Sequence, residues 1–281
     1  MLCFRLRMIL LLGILAAGCG KAEDQQADNT LPPTVPQPGT LTLEVNTLGS
    51  SSGFGSNDSS WDNGRIELLG TNHSLASLIV GATSLSVAGQ LAVPTAAVRA
   101  ALSQTPTFNA EAKSWIWAYQ FSASGTSYTA NLSGTRTGEA SASWSFAVTK
   151  SPADANGCCD NFVWLSGATD TASSGTWVIN DPTTPSTLTP HRLVDWNYTA
   201  ETEKTMRVVV KKVEESSDWV VDGFVNYTAS PTTVQMTVEK NPSTAEKFVV
   251  DWNRTTRAGS LIKEDNTTVC WDATLANTPC G

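Results

Sequence analysis

Histidine is nearly absent from the chain, with only His73 and His191 among 281 residues. Neither stands in a His-Glu-x-x-His run or at another ligand spacing, so no metal site is expected. There is no Gly-x-Ser-x-Gly elbow, the usual frame for a serine nucleophile. No glycine-rich loop follows a strand-like run, so nothing invites a nucleotide phosphate. Charged residues make up only 16%, with 18 Lys and Arg against 26 Asp and Glu. That acidic balance argues against nucleic acid as a partner and against a basic membrane-binding face. The apolar run at residues 8–17 is too short to cross a bilayer as a helix. On these grounds no cofactor, no metal and no catalytic residue are expected.

What the chain does have is a repeated strand. Val194-Asp195-Trp196-Asn197 returns as Val250-Asp251-Trp252-Asn253, and each copy follows a Pro-Ser-Thr turn. Apolar residues alternate in both copies: Val194, Trp196 and Tyr198, then Phe248, Val250 and Trp252. Alternation with period two marks a half-buried strand, and its recurrence suggests one β-unit used twice. The same pattern runs from Trp115-Ile116-Trp117 through Trp144, Trp177, Met206 and Val234 to Trp271. Thr40 to Val45 reads as a first strand, Ile66 to Leu69 as a short one, and residues 49–63 as a loop around Trp61. Short turns between the runs leave no room for parallel crossovers. The fold class expected is therefore all-β: an antiparallel meander forming a barrel or half-barrel, lipocalin-like, over residues 41–281. One short helix is expected at residues 94–104, opened by Pro94 and closed before Pro106, as a lid or plug on the sheet.

Nine of the ten tryptophans lie between Trp115 and Trp271. Aromatics on one parity of a strand usually fill a core. If instead they line a cavity, Trp115, Trp117, Trp177, Trp196 and Trp252 are the candidate contacts for a small apolar or lipid-like ligand. Asp195 and Asp251 would suit a glycoside hydrolase only if they met in one cleft, with His191 as a further candidate group. Each lies on the face opposite its tryptophan, which favours solvent or a neighbouring turn. Lys211-Lys212 and Glu214-Glu215 read as a solvated hairpin tip.

The N-terminus reads as an export signal. Arg5 and Arg7 precede the apolar run, and Leu15-Ala16-Ala17-Gly18-Cys19 resembles the lipobox of bacterial lipoproteins. The family implies cleavage after residue 18, acylation of Cys19 and a membrane anchor in the bacterial envelope, at the outer membrane. Two or more acyl chains hold a protein stably to a bilayer. Without Arg5 and Arg7 the count is 16 basic against 26 acidic residues, a net charge near −10. Residues 19–40, with Pro32, Pro33, Pro36 and Pro38, read as a disordered tether.

Export permits disulfides. Cys158, Cys159, Cys270 and Cys280 remain once Cys3 is removed and Cys19 is acylated. Cys270 with Cys280 would pin the tail. Cys158 and Cys159 form a vicinal pair, or each bonds a C-terminal cysteine; four cysteines allow three pairings. The Ala-rich stretch before Trp115, Ser174-Gly175-Thr176-Trp177, the Asp-Trp-Asn strand followed by Arg254-Thr255-Thr256, and the Cys270-Trp271-Asp272…Cys280 ending together resemble a group of bacterial lipoproteins of no assigned activity. That resemblance implies a lipid-anchored β-rich protein and carries no catalytic residues. The functional expectation is a non-enzymatic binding module for an apolar ligand; the alternatives are an interaction protein with a filled core, or the hydrolase.

Overall fold

The structure is a computed structural model and describes residues 31–48, 70–123, 125–155, 158–171, 173–213, 219–241 and 246–281. The export signal, Cys19, the Trp61 loop, the 66–69 strand and the Glu214-Glu215 tip lie outside the described residues.

Among the described residues, fourteen strands, β1 (Thr107–Asn109) to β14 (Asn277–Thr278), form one sheet in which neighbours in sequence are neighbours in space. Every pairing is antiparallel. The long strands are β2 (Ser114–Ala123), β3 (Thr126–Arg136), β4 (Ala142–Lys150), β5 (Phe162–Thr171), β6 (Ser174–Asn180), β7 (Pro190–Ala200), β8 (Glu203–Val213), β9 (Trp219–Ala229), β10 (Thr233–Asn241) and β11 (Glu246–Asn253). Shorter β12 (Gly259–Ile262) and β13 (Thr268–Trp271) follow. The meander expected from period-two alternation is present, with one α-helix among the described residues. The sheet stays open, because β1 and β14 do not pair with each other.

Short connections are made by turn chemistry. Gly125 takes φ +76°, a left-handed value that glycine adopts without a Cβ clash. Asn253 Oδ1 accepts the backbone N–H of Thr255 and Thr256, and Asp272 Oδ1 does the same for Thr274 and Ala276. The two Val-Asp-Trp-Asn copies therefore end differently: Asn253 closes a turn, whereas β7 runs on to Ala200. Register shifts interrupt the pairings from β4 through β9 and again at β10/β11. Such bulges bend strands and increase local twist, which curls a sheet.

One face of the sheet is buried. Trp117, Phe146, Trp177, Val194, Trp196, Met206, Tyr227, Val250, Trp252 and Trp271 all point to it. Two elements cover that face. The first is a helix, α1 (Asn72–Ala101), of 30 residues. It packs on β2 and β3 near one end of the sheet and on β12 and β13 near the other. Tyr119 Oη donates to Ala97 O at 2.8 Å, and the His73 and Trp271 rings meet edge-on at 5.8 Å. The second cover is the segment 31–48, whose 3-10 turn Pro38–Leu41 lies between α1 and β7.

Both covers correct the expectations. The helix was placed at 94–104 as a short lid, but it starts at Asn72, and Pro94 is inside it. Thr71 caps its start, accepting Ser74 N–H at 3.1 Å. Pro94 removes one helical hydrogen bond, yet the helix continues because Leu91, Val93, Ala97 and Val98 bury around it. The tether was drawn to residue 40, but its last part, from Pro33, is packed on the domain. Val35, Thr40 and Leu41 are buried, and Arg136 donates to the carbonyls of Leu31 and Pro32. Residues 40–45 lie across the sheet rather than joining it as a strand.

Candidate functional site

The buried face was the expected ligand site. Trp117, Trp177, Trp196 and Trp252 are all buried there, while Trp115 is half-buried at the β1 edge, 5.3 Å from the Phe108 ring. They do not form one cluster. Trp117 lies 5.7 Å from Trp144, Trp177 stacks on Trp196 at 6.3 Å, and Trp252 is on β11. The 31–48 segment engages several of them. Trp177 Nε1 donates to Thr40 Oγ1 at 3.2 Å, and Trp252 Nε1 to Thr47 Oγ1 at 2.9 Å. Trp196 Nε1 is buried without a hydrogen-bond partner among the described residues.

Two buried cations hold the same segment. Lys204, its side chain 2% exposed, donates to Gly39 O at 3.2 Å, Thr42 Oγ1 at 3.3 Å and Glu201 Oε2 at 2.8 Å. Arg254 donates to Glu44 Oε2 at 2.5 Å. Tyr227 Oη donates to Glu44 O at 3.0 Å; burial, reinforced by the Glu44 charge, pushes this phenol up to about 12. Sequence reading misses Lys204 and Arg254, because a cation near a strand end looks solvated. The only signal is the complementary Glu44 within an otherwise polar leader.

The opposite face of the sheet is open, and a shallow groove of about 570 Å3 runs over β5–β9. Two polar rows floor it. Thr176, Asp195, Arg207 and Asn226 are successive cross-strand partners, and Ser174, Asn197, Thr205 and Thr228 are the next row. Directly opposed side chains sit about 4.5–5.5 Å apart at Cβ. Thr176 Oγ1 donates to Asp195 Oδ1 at 3.0 Å, and the Arg207 guanidinium lies 5.2 Å over the Phe224 ring. Asp170 stands at one end of the groove. Asparagine amides, threonine hydroxyls, a carboxylate and a guanidinium offer donors and acceptors to a polar partner.

Asp195 and Asp251 are not brought together. They point to the same outer face, but β7 and β11 are separated by four strand spacings, about 19 Å. Gln235 Nε2 donates to Asp251 Oδ1 at 2.8 Å. His191 is on β7, and its pKa is lowered by burial and by the neighbouring Arg192 charge. Among the described residues, no three His, Cys, Asp or Glu side chains are grouped to hold a metal. The cysteines pair as Cys158–Cys159 and Cys270–Cys280, the latter with Cα atoms 5.3 Å apart. Comparison with protein-family models, with curated proteins and with solved structures finds no match.

Proposed function

We propose that the chain is a lipid-anchored protein of the bacterial envelope, held at the outer membrane through Cys19, that works as a non-enzymatic interaction module. Its half-barrel is filled, and its working surface is the polar groove over β5–β9. The observation that carries this reading is the cover on the buried face. An apolar ligand would have to displace residues 31–48, and with them the bonds from Trp177, Trp252, Lys204 and Arg254. Burying cations beside a hydrocarbon ligand is strongly unfavourable. The groove, by contrast, needs no rearrangement to receive a peptide or sugar surface. The spacing between Asp195 and Asp251 gives the hydrolase no support.

Three measurements test the reading. Cys19→Ser should release the protein into the soluble fraction; retention in the membrane would sink the anchor. Native mass spectrometry of protein extracted from its own membrane should give the polypeptide plus covalent acyl groups. A stoichiometric apolar adduct would instead restore the ligand-carrier reading. A photo-crosslinking residue at Thr205 should yield a discrete adduct in living cells that is absent with the same group at Ser127 and is lost on Arg207→Glu. Identical adducts at both positions would remove the groove from the proposal.

A further inference from the structure

Three residues on the open face of the sheet stand where strands disfavour them. Asp195 and Asn197 lie in β7 and Asn226 in β9, and Asp and Asn are depleted from strands. Elsewhere in the chain such side chains have local work. Asn253, Asp272, Asp181 and Asp265 each accept a backbone N–H within a turn, and Asp251 accepts Gln235. In the groove the side chains of Asn197, Asn226, Thr205, Thr228 and Arg207 make no hydrogen bond to any described residue. Asp195 and Arg207 are register partners, yet no ion pair joins them. The carboxylate takes Thr176, and the guanidinium lies over the Phe224 ring. Polar residues that break a strand's preference and bond nothing within the chain mark a surface kept for a partner.

We infer that this partner is a neutral glycan laid across β6–β9, an inference that rests on the groove proposed above as the working surface. Charge excludes a polyanion. The charged residues lining the groove are Asp170, Asp195 and Arg207, two acids against one cation on an acidic chain, which repels phosphate, sulfate or uronate. The chemistry of the floor disfavours a polypeptide. A protein partner needs a desolvated aromatic or aliphatic anchor. Trp196, Met206 and Tyr227 contribute to the floor, but their side chains are buried on the other face. Phe224, an outward ring of β9, lies under the Arg207 guanidinium. A peptide added as a strand needs a sheet edge, and β6–β9 are internal strands. Hydroxyls suit what remains. Each one donates and accepts, so a polyol can meet a carboxylate, a guanidinium and amides that offer both. The row from Thr176 to Asn226 spans three strand spacings, about 14 Å. The groove volume of about 570 Å3 is that of a small-ligand site.

The test titrates the full chain, purified from its own cells, with neutral oligosaccharides of glucose, galactose, mannose or N-acetylglucosamine, and separately with heparin fragments. At least one neutral oligosaccharide should bind in calorimetry and shift the side-chain amide signals of Asn197 and Asn226. Arg207→Gln and Asn197→Ala should each weaken that binding about tenfold, as loss of a hydrogen bond to a ligand does, with an unchanged melting temperature. Ser127→Ala on β3, outside the groove, should leave it as it is. No binding by any of the neutral sugars would overturn the inference, as would binding of heparin alone or binding that survives both substitutions. The amide shifts are read on the wild type, so they decide the matter even where a variant unfolds. The two readings fail separately. A Thr205 crosslink to a polypeptide in cells, with no sugar bound, keeps the groove and removes the glycan. A sugar bound through Arg207 by a chain that Cys19→Ser does not release keeps the glycan and removes the anchor.

Discussion

Gly167 lies beneath the indole of Trp177, its register partner on β6. A Cβ there would sit 2.5 Å from a Trp177 ring carbon. The arrangement recurs: Gly134 faces Trp144, Gly175 faces Trp196, and Gly259 faces Trp271, with Cβ distances of 2.6, 2.9 and 2.5 Å to the rings. A glycine in a strand marks close approach, and here the ring of the next strand fills the space. Gly167→Ala should therefore destabilise by about 1–3 kcal/mol through overpacking. It would appear as a lower urea midpoint with the slope unchanged. An unchanged midpoint would show that the indole can shift without loss. Tyr227 gives a pH-dependent counterpart. Its folded pKa, about 12, exceeds the unfolded value of about 10. The stabilisation is complete below pH ~10 and is lost as pH rises through the folded value. Stability of the wild type should fall between pH ~10 and ~12, and Tyr227→Phe should flatten that fall.

At the scale of elements, the 31–48 segment is held on the sheet by buried charge. Glu44→Gln removes the carboxylate that meets Arg254, whose side chain is only 8% exposed. Breaking a fully buried pair costs about 3–5 kcal/mol; Glu44 is 32% exposed, which puts the expectation nearer 2–3 kcal/mol. Chemical denaturation should show that loss, and Glu44→Asp should recover part of it. The long strands β2, β3 and β4 were legible because each has an uninterrupted two-residue alternation. Trp115, Trp117, Tyr119 and Phe121 share one parity and one face of the sheet. Only the end of the helix, from Pro94, was legible, because upstream Ile79-Val80, Val87 and Val93 look strand-like and no charges mark a polar face. The buried positions Ala76, Val80, Thr83, Val87, Leu91, Pro94, Val98 and Ala101 do recur every three or four residues. The 31–48 segment was opaque for a different reason. Proline-rich, polar chain reads as unfolded, and here its backbone carbonyls and hydroxyls accept bonds from Lys204, Tyr227 and two indoles, which composition does not record. The groove was half legible: alternation placed Asp195 outward, but only the register puts it beside Arg207 and Thr176.

For the whole molecule, the open sheet has two edges to protect. Exposed edges invite pairing with other chains, and short edge strands are one defence. β1 has three residues and β14 two. The C-terminal edge is also pinned by Cys270–Cys280, ten residues apart. A loop of that size corresponds to about 2.5–3 kcal/mol, or roughly 5–10 °C in melting temperature for a domain of this size. The edge is tied to the start of α1 as well, since Asn72 Nδ2 donates to Cys270 O at 2.9 Å and Asn72 N to Asn277 Oδ1 at 2.7 Å. Replacing both cysteines with serine should therefore loosen two places at once. Amide exchange should accelerate in 268–278 and in the first turn of α1, while the central strands β4–β8 keep their protection. With β14 loosened, β13 becomes the working edge, and concentration-dependent association should appear in light scattering. Uniform loss of protection would instead mean that the disulfide supports global stability and does not guard this edge. Unchanged exchange at 268–278 would assign edge protection to β14 and its bonds to Asn72 alone.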